Sequence, residues 1–130
     1  MSRTRTLLAI TLISAVLAAC AGPSAAAPAS TKPASGPQAV EVKTTDALRF
    51  DPATITVKKG TPVRVTLTNN TVVEHDWVVD NLDGKKVQIH AAPKASATVD
   101  FTPTAAGSNE FYCSIPGHRE AGMKGTLIVQ

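Results

Sequence analysis

From residue 39 onward the chain alternates apolar and polar residues in short runs, and a turn signal interrupts the alternation about every ten residues. The clearest run sets Val63, Val65 and Leu67 against Arg64, Thr66 and Thr68. A period of two places one set on each side of an extended chain, which is the signature of a half-buried strand. Val40 and Val42, Ile55 and Val57, Val87 and Ile89, and Ala97, Val99 and Phe101 repeat it. His75, Trp77 and Val79 share one face of a further run, with Asp76, Val78 and Asp80 on the other. Phe111 and Cys113 follow, and Thr126 to Val129 ends the chain. Breakers at Asp51-Pro52, Lys58 to Pro62, Asn69 to Thr71, Asn81 to Gly84, Pro93 and Pro103 to Ser108 separate the runs. No helix of ordinary length fits this pattern. It predicts seven or eight short strands and an all-β sandwich or barrel over residues 39–130. A chain of about 90 residues buries roughly 60% of its unfolded surface, enough for one thin core.

The preceding residues read differently. In 1–19, Arg3 and Arg5 are followed by an apolar run from Leu7 to Leu17. That run falls short of the ~20 residues a membrane span needs, and the layout is that of a secretory signal peptide. Leu17-Ala18-Ala19-Cys20 resembles a bacterial lipoprotein box, which implies lipidation of Cys20. An ordinary signal cut after Ala19 is the alternative. Residues 20–38 are rich in Ala, Pro and Ser, with four prolines between Ala21 and Gln38 and no acidic residue. Such a stretch cannot bury a core and is expected to act as a disordered tether. At about 3.1 Å per residue it would reach roughly 55 Å. The expected location is the periplasmic or extracellular face of a bacterial membrane, through an N-terminal lipid anchor.

Net charge is +3, but Arg3, Arg5 and Lys32 carry the whole excess. Residues 39–130 hold ten basic and ten acidic side chains, so no electrostatic footprint for nucleic acid exists there. There are two cysteines, and Cys20 belongs to the export signal. Cys113 is then an odd exported thiol, which calls for a reason.

Metal ligation supplies one. Cys113, His118 and Met123 form a Cys-x4-His-x4-Met pattern. Pro116, Gly117 and Gly122 lie between them, so the stretch is a turning loop that can aim three donors at one point. A buried structural cysteine and a core methionine are each common. Here, however, the domain's one cysteine and one methionine flank a histidine at equal spacing. Thiolate, imidazole and thioether together suit copper. The fourth donor is His75 or His90. The pattern favours His75, at the loop-proximal end of its strand.

These residues resemble a known family. Val72-Val73-Glu74-His75-Asp76-Trp77-Val78-Val79, then Phe111-Tyr112-Cys113-Ser114-Ile115-Pro116-Gly117-His118, Met123 and Gly125-Thr126-Leu127, is similar to the cupredoxins, in loop pattern closest to azurin and auracyanin. The resemblance implies a Greek-key β-sandwich with one type 1 copper buried at one end. It implies His75 and His118 as imidazole ligands, Cys113 as thiolate and Met123 as weak axial thioether. Two positions depart from the pattern. Asp76 stands where the family usually has asparagine, and Glu74 where azurin has glycine, so the resemblance does not carry over a backbone carbonyl contact to the metal.

The implied function is one-electron transfer between redox proteins that dock near His118. Ile115, Pro116, Ala121 and Gly122 are candidates for an apolar rim there. Four donors leave no open coordination position, and there is no Ser-His-Asp order, carboxylate pair or phosphate loop, so the chain is not expected to be an enzyme. It is expected to be monomeric. A copper storage or delivery protein without redox turnover is the alternative, although such carriers tend to be rich in Met or His and this domain is not.

Overall fold

The computed structural model describes residues 36–130. The signal peptide expected at 1–19, Cys20 and all but the last three residues of the tether lie outside the described residues.

Nine strands follow in order: β1 (Gln38–Thr45), β2 (Arg49–Asp51), β3 (Thr54–Val57), β4 (Val63–Asn69), β5 (His75–Leu82), β6 (Lys85–Ala91), β7 (Ser96–Phe101), β8 (Gly107–Tyr112) and β9 (Lys124–Val129). No helix occurs among the described residues. One sheet has the order β2-β1-β4-β7 and the other β3-β9-β8-β5-β6. β1 runs parallel to β4 and β3 parallel to β9, while the remaining pairs are antiparallel. The result is the expected Greek-key sandwich.

Nine strands exceed the seven or eight expected, for local reasons. β2 is three residues long and turns only Phe50 inward. β8 begins at Gly107, inside a stretch that reads as a turn, because Gly107, Ser108 and Asn109 pair with Val129, Ile128 and Leu127 of β9. A neighbouring strand's ladder overrides weak strand propensity there.

The core lies between the sheets. Val42, Val63, Val65, Leu67, Trp77, Phe111, Leu127 and Val129 are buried in it. Each such side chain contributes roughly 1.5–3 kcal/mol relative to exposure. Phe111 stands edge-on to Phe50 at 5.3 Å and tilted against Trp77 at 5.4 Å. All of these residues come from the strands between Gln38 and Val129, so the sandwich closes on its own core. β5 differs from a one-sided strand, since His75, Asp76, Trp77, Val78 and Val79 are all buried. It lies inside its sheet, between β8 and β6.

The strands define two poles. At one, His75 pairs with Ala91, Thr68 with Ser96 and Thr44 with Asn69. At the other, Gln38 pairs with Val63 and Val63 with Phe101, while Leu82 pairs with Lys85. Seven residues of strand separate them, or roughly 20 Å.

Candidate metal centre

His75 opens β5 at the first pole, and the loop after β8 brings Cys113 and His118 to it. The Nδ1 atoms of His75 and His118 lie 3.9 Å and 3.4 Å from Cys113 Sγ. One donor atom from each of the three lies within 4.8 Å of the others. His75, Cys113 and Met123 are fully buried, while His118 is partly exposed. His90, the alternative fourth donor, is outside this group.

The loop is closed by its own backbone. The N–H of Cys113 donates to the carbonyl of Met123 (3.0 Å), and the N–H of Met123 donates to the carbonyl of His118 (2.9 Å). Gly117 takes φ 82° between Pro116 and His118, a value that residues with a Cβ rarely adopt, so the turn that aims His118 requires glycine. Met123 thereby joins the other three, and the four side chains are arranged as a type 1 copper site. The donor chemistry fits, since two imidazole nitrogens, a thiolate and a thioether are the blue-copper set.

Two groups of residues hold the donors. The first has little sequence signal. His75 Nε2 lies 3.0 Å from Thr71 Oγ1, and the Thr71 hydroxyl lies 2.8 Å from Asn69 Oδ1. With Nε2–H donating to Thr71, the Nδ1 lone pair is left facing the Cys113 sulfur. Asn69 in turn accepts from Thr44 Oγ1 (2.9 Å), and its amide donates to the carbonyls of Val73, Ala91 and Ala92. In sequence, Asn69 and Thr71 look like ordinary turn residues. Asparagine ending the cleanest strand was the only available hint.

The second group surrounds Asp76. Its backbone N–H donates to Cys113 Sγ (3.3 Å). Its carboxylate accepts from the Ser114 hydroxyl and lies 2.8 Å from His90 Nδ1. The aspartate that departs from the family pattern therefore still ties β5 to the cysteine loop, and His90 braces it from β6.

Burial pushes the Cys113 thiol above its ordinary value, against the lowering effect of the Asp76 and Ile115 N–H groups. Burial likewise depresses His75, helped by the neighbouring His118. In the metal-free protein each shift sets one limit on stability. The unfolded chain takes up a proton on His75 that the folded chain resists, so stability falls as pH drops below about 6.5. The unfolded chain also ionises Cys113 first, so stability falls again above about 8.5. Thermal melts of apoprotein across this range are expected to show a plateau between the two limits. Copper is expected to steepen the acid side and to remove the alkaline limit, because bound metal keeps off His75 and Cys113 the protons that the unfolded chain takes up.

Beside His118, Val72, Val73, Glu74, Pro93 and Ile115 line a shallow depression. Val72 is 77% exposed and Val73 46%, and they are the exposed large hydrophobic residues of the described chain. Of the rim expected from sequence, Ile115 belongs here. Ala121 and Gly122 instead face Arg49, whose Nη1 donates to the Ala121 carbonyl at 2.7 Å.

A two-sheet sandwich with this donor set at one pole defines a cupredoxin. Residues 9–129 match the family described as Cupredoxin-like domain, and the chain belongs to it. Among its relatives is the copper-resistant cuproprotein CopI of Rubrivivax gelatinosus, 36% identical over 110 residues, covering 72% of this chain and 67% of that one. Auracyanin-A of Chloroflexus aurantiacus is 34% identical over 157 aligned positions, covering 98% and 96%. The solved structure of auracyanin B superposes with a TM-score of 0.63 at 28% identity, over 72% of this chain and 88% of that one.

Proposed function

We propose that this protein is a small blue-copper electron carrier, moving one electron at a time through a single type 1 centre held by His75, Cys113, His118 and Met123. The observation that carries this reading is the burial of three of the four donors in a closed, hydrogen-bonded frame. Copper in this place would supply a Cu(I)/Cu(II) couple. The residues around it do the rest. Thr71 and Asn69 fix the His75 ring, Asp76 and Ser114 hold the thiolate strand and loop together, and the core beneath resists movement when the charge changes. His118 is the partly exposed ligand, so its ring edge is the port through which electrons enter and leave. Redox partners dock on the apolar surface of Val72, Val73, Pro93 and Ile115 beside it. The chain works as a monomer on the outer side of a bacterial membrane, held there by a lipid on Cys20, and catalyses no substrate chemistry.

The likeness to a copper-resistant cuproprotein favours a second reading, in which the protein holds or delivers copper without turning it over. Repeated reduction and reoxidation in the presence of a copper(I) chelator separates the two. An electron carrier is expected to bleach and recover its visible absorption over many cycles, one electron per copper, with the metal retained. Loss of copper to the chelator on the first reduction would identify a delivery protein instead.

A further inference from the structure

The pole opposite the metal carries a concentration of positive charge. Lys58 and Lys59 lie in the turn between β3 and β4, and Lys85 and Lys86 at the start of β6, all exposed. The loop after β7 joins the two turns. Gly60 N–H donates to the Pro103 carbonyl at 2.7 Å, and the Ala105 N–H donates to the Asp83 carboxylate at 3.1 Å. Of the nearby acidic groups, Asp100 is offset by Arg64, while Asp83 keeps its negative charge and cancels one of the four lysines, which leaves an excess of three. Asp83 also accepts from the Thr104 N–H, and Asp100 forms a bidentate pair with Arg64 at 2.7 Å. Since residues 39–130 are neutral overall, this excess is balanced by carboxylates elsewhere, among them Glu74 and Asp76 at the metal pole.

The chain also enters the fold at this pole. Gln38 N–H donates to the Pro62 carbonyl (2.7 Å), and the Gln38 side chain bonds both the Lys58 N–H (3.1 Å) and the Thr56 carbonyl (2.9 Å). The described residues therefore begin beside Lys58 and Lys59.

We propose that this lysine pole is a contact surface for an anionic lipid bilayer, on which the domain stands with its metal pole directed away. Two features select a bilayer. The lysines are spread over separate turns around a broad end of the sandwich, a layout suited to an extended charged plane. Gln38, near the start of the described residues, is also bonded to the turn that carries Lys58 and Lys59. Each lysine near an anionic surface contributes a factor of about five in partitioning, within a Debye length of the headgroups. The contact does not depend on a lipid at Cys20.

The test uses copper-loaded residues 36–130, which contain every strand and the core, co-sedimented with vesicles at low salt. The vesicles are phosphatidylcholine alone or phosphatidylcholine mixed with phosphatidylglycerol. Binding to the mixed vesicles is expected to be at least about tenfold stronger and to fade with added salt. A Lys59→Gln, Lys85→Gln, Lys86→Gln variant is expected to lose about tenfold or more of that binding. A variant with the same charge change elsewhere, Lys43→Gln, Lys94→Gln, Lys124→Gln, is expected to stay within about threefold of the parent. The parent's visible spectrum and thermal midpoint, preserved in both variants, establish that each is folded. Equal binding to both vesicle types overturns the proposal, and so does equal loss in the two variants, which would reflect charge without a preferred face.

Discussion

Cys113→Ser is expected to abolish the intense visible absorption of the copper(II) protein while leaving the fold in place. The band requires a thiolate in direct contact with the metal, and Cys113 is the cysteine of the described domain. Serine supplies an oxygen of similar shape, but its hydroxyl remains protonated and hard at neutral pH, so thiolate-to-copper charge transfer has no donor. Copper(II) still finds the two Nδ1 atoms of His75 and His118, with weaker affinity and an ordinary pale spectrum. The buried hydroxyl costs about 1–3 kcal/mol if it finds no acceptor. Absorption and electron paramagnetic resonance spectra of copper-loaded parent and variant check this. Undiminished colour in the variant would remove Cys113 from the centre.

Gly125→Ala is expected to be among the most destabilising single changes in the domain. Gly125 faces Phe111 across the β8–β9 ladder. A Cβ there would lie 2.3 Å from Phe111 Cζ and 2.4 Å from the Ala53 carbonyl oxygen. Neither neighbour can yield cheaply. Phe111 is fixed by Phe50 and Trp77, and the Ala53 carbonyl already accepts the Thr126 N–H at 2.8 Å. Overpacking of this kind costs about 3 kcal/mol. For a domain of this size that corresponds to a fall of roughly 10 °C or more in Tm. Gly107→Ala, where the added methyl meets nothing within 4 Å, is the matched control and should shift Tm little.

How much of this was legible beforehand follows from the physics of each signal. Val63, Val65 and Leu67 announce their strand because one face meets the core and the other meets water. β8 announces nothing over Gly107 to Asn109, because its extension is imposed by β9. The three loop donors are visible because rare residue types fall at regular spacing within one short segment. His75 was distinguishable from His90 only weakly by pattern, since the fourth donor reaches the site through β5 and its pairing with β6. Asn69 and Thr71 were invisible as site residues. Their role is a chain of hydrogen bonds across β1, β4 and β5, and no local spacing encodes it. The exposed apolar residues beside His118 were hidden for a similar reason. Val72 and Val73 stand out only once folding brings them beside His118, and only the fold shows that Arg49 lies against Ala121 and Gly122.

The frame around His75 has a consequence for how the centre is assembled. Thr71 and Asn69 orient its ring through the protein's own hydrogen bonds, and the loop carrying the other donors is closed by backbone contacts between Cys113, His118 and Met123. The cavity is thus shaped before any ion arrives. An ion entering it meets a fixed mould, so its preferred geometry yields to that of the polypeptide. Zinc, cobalt or mercury, each with different habits in water, would be cast into the same arrangement, and structures of the substituted proteins should superpose at the donors.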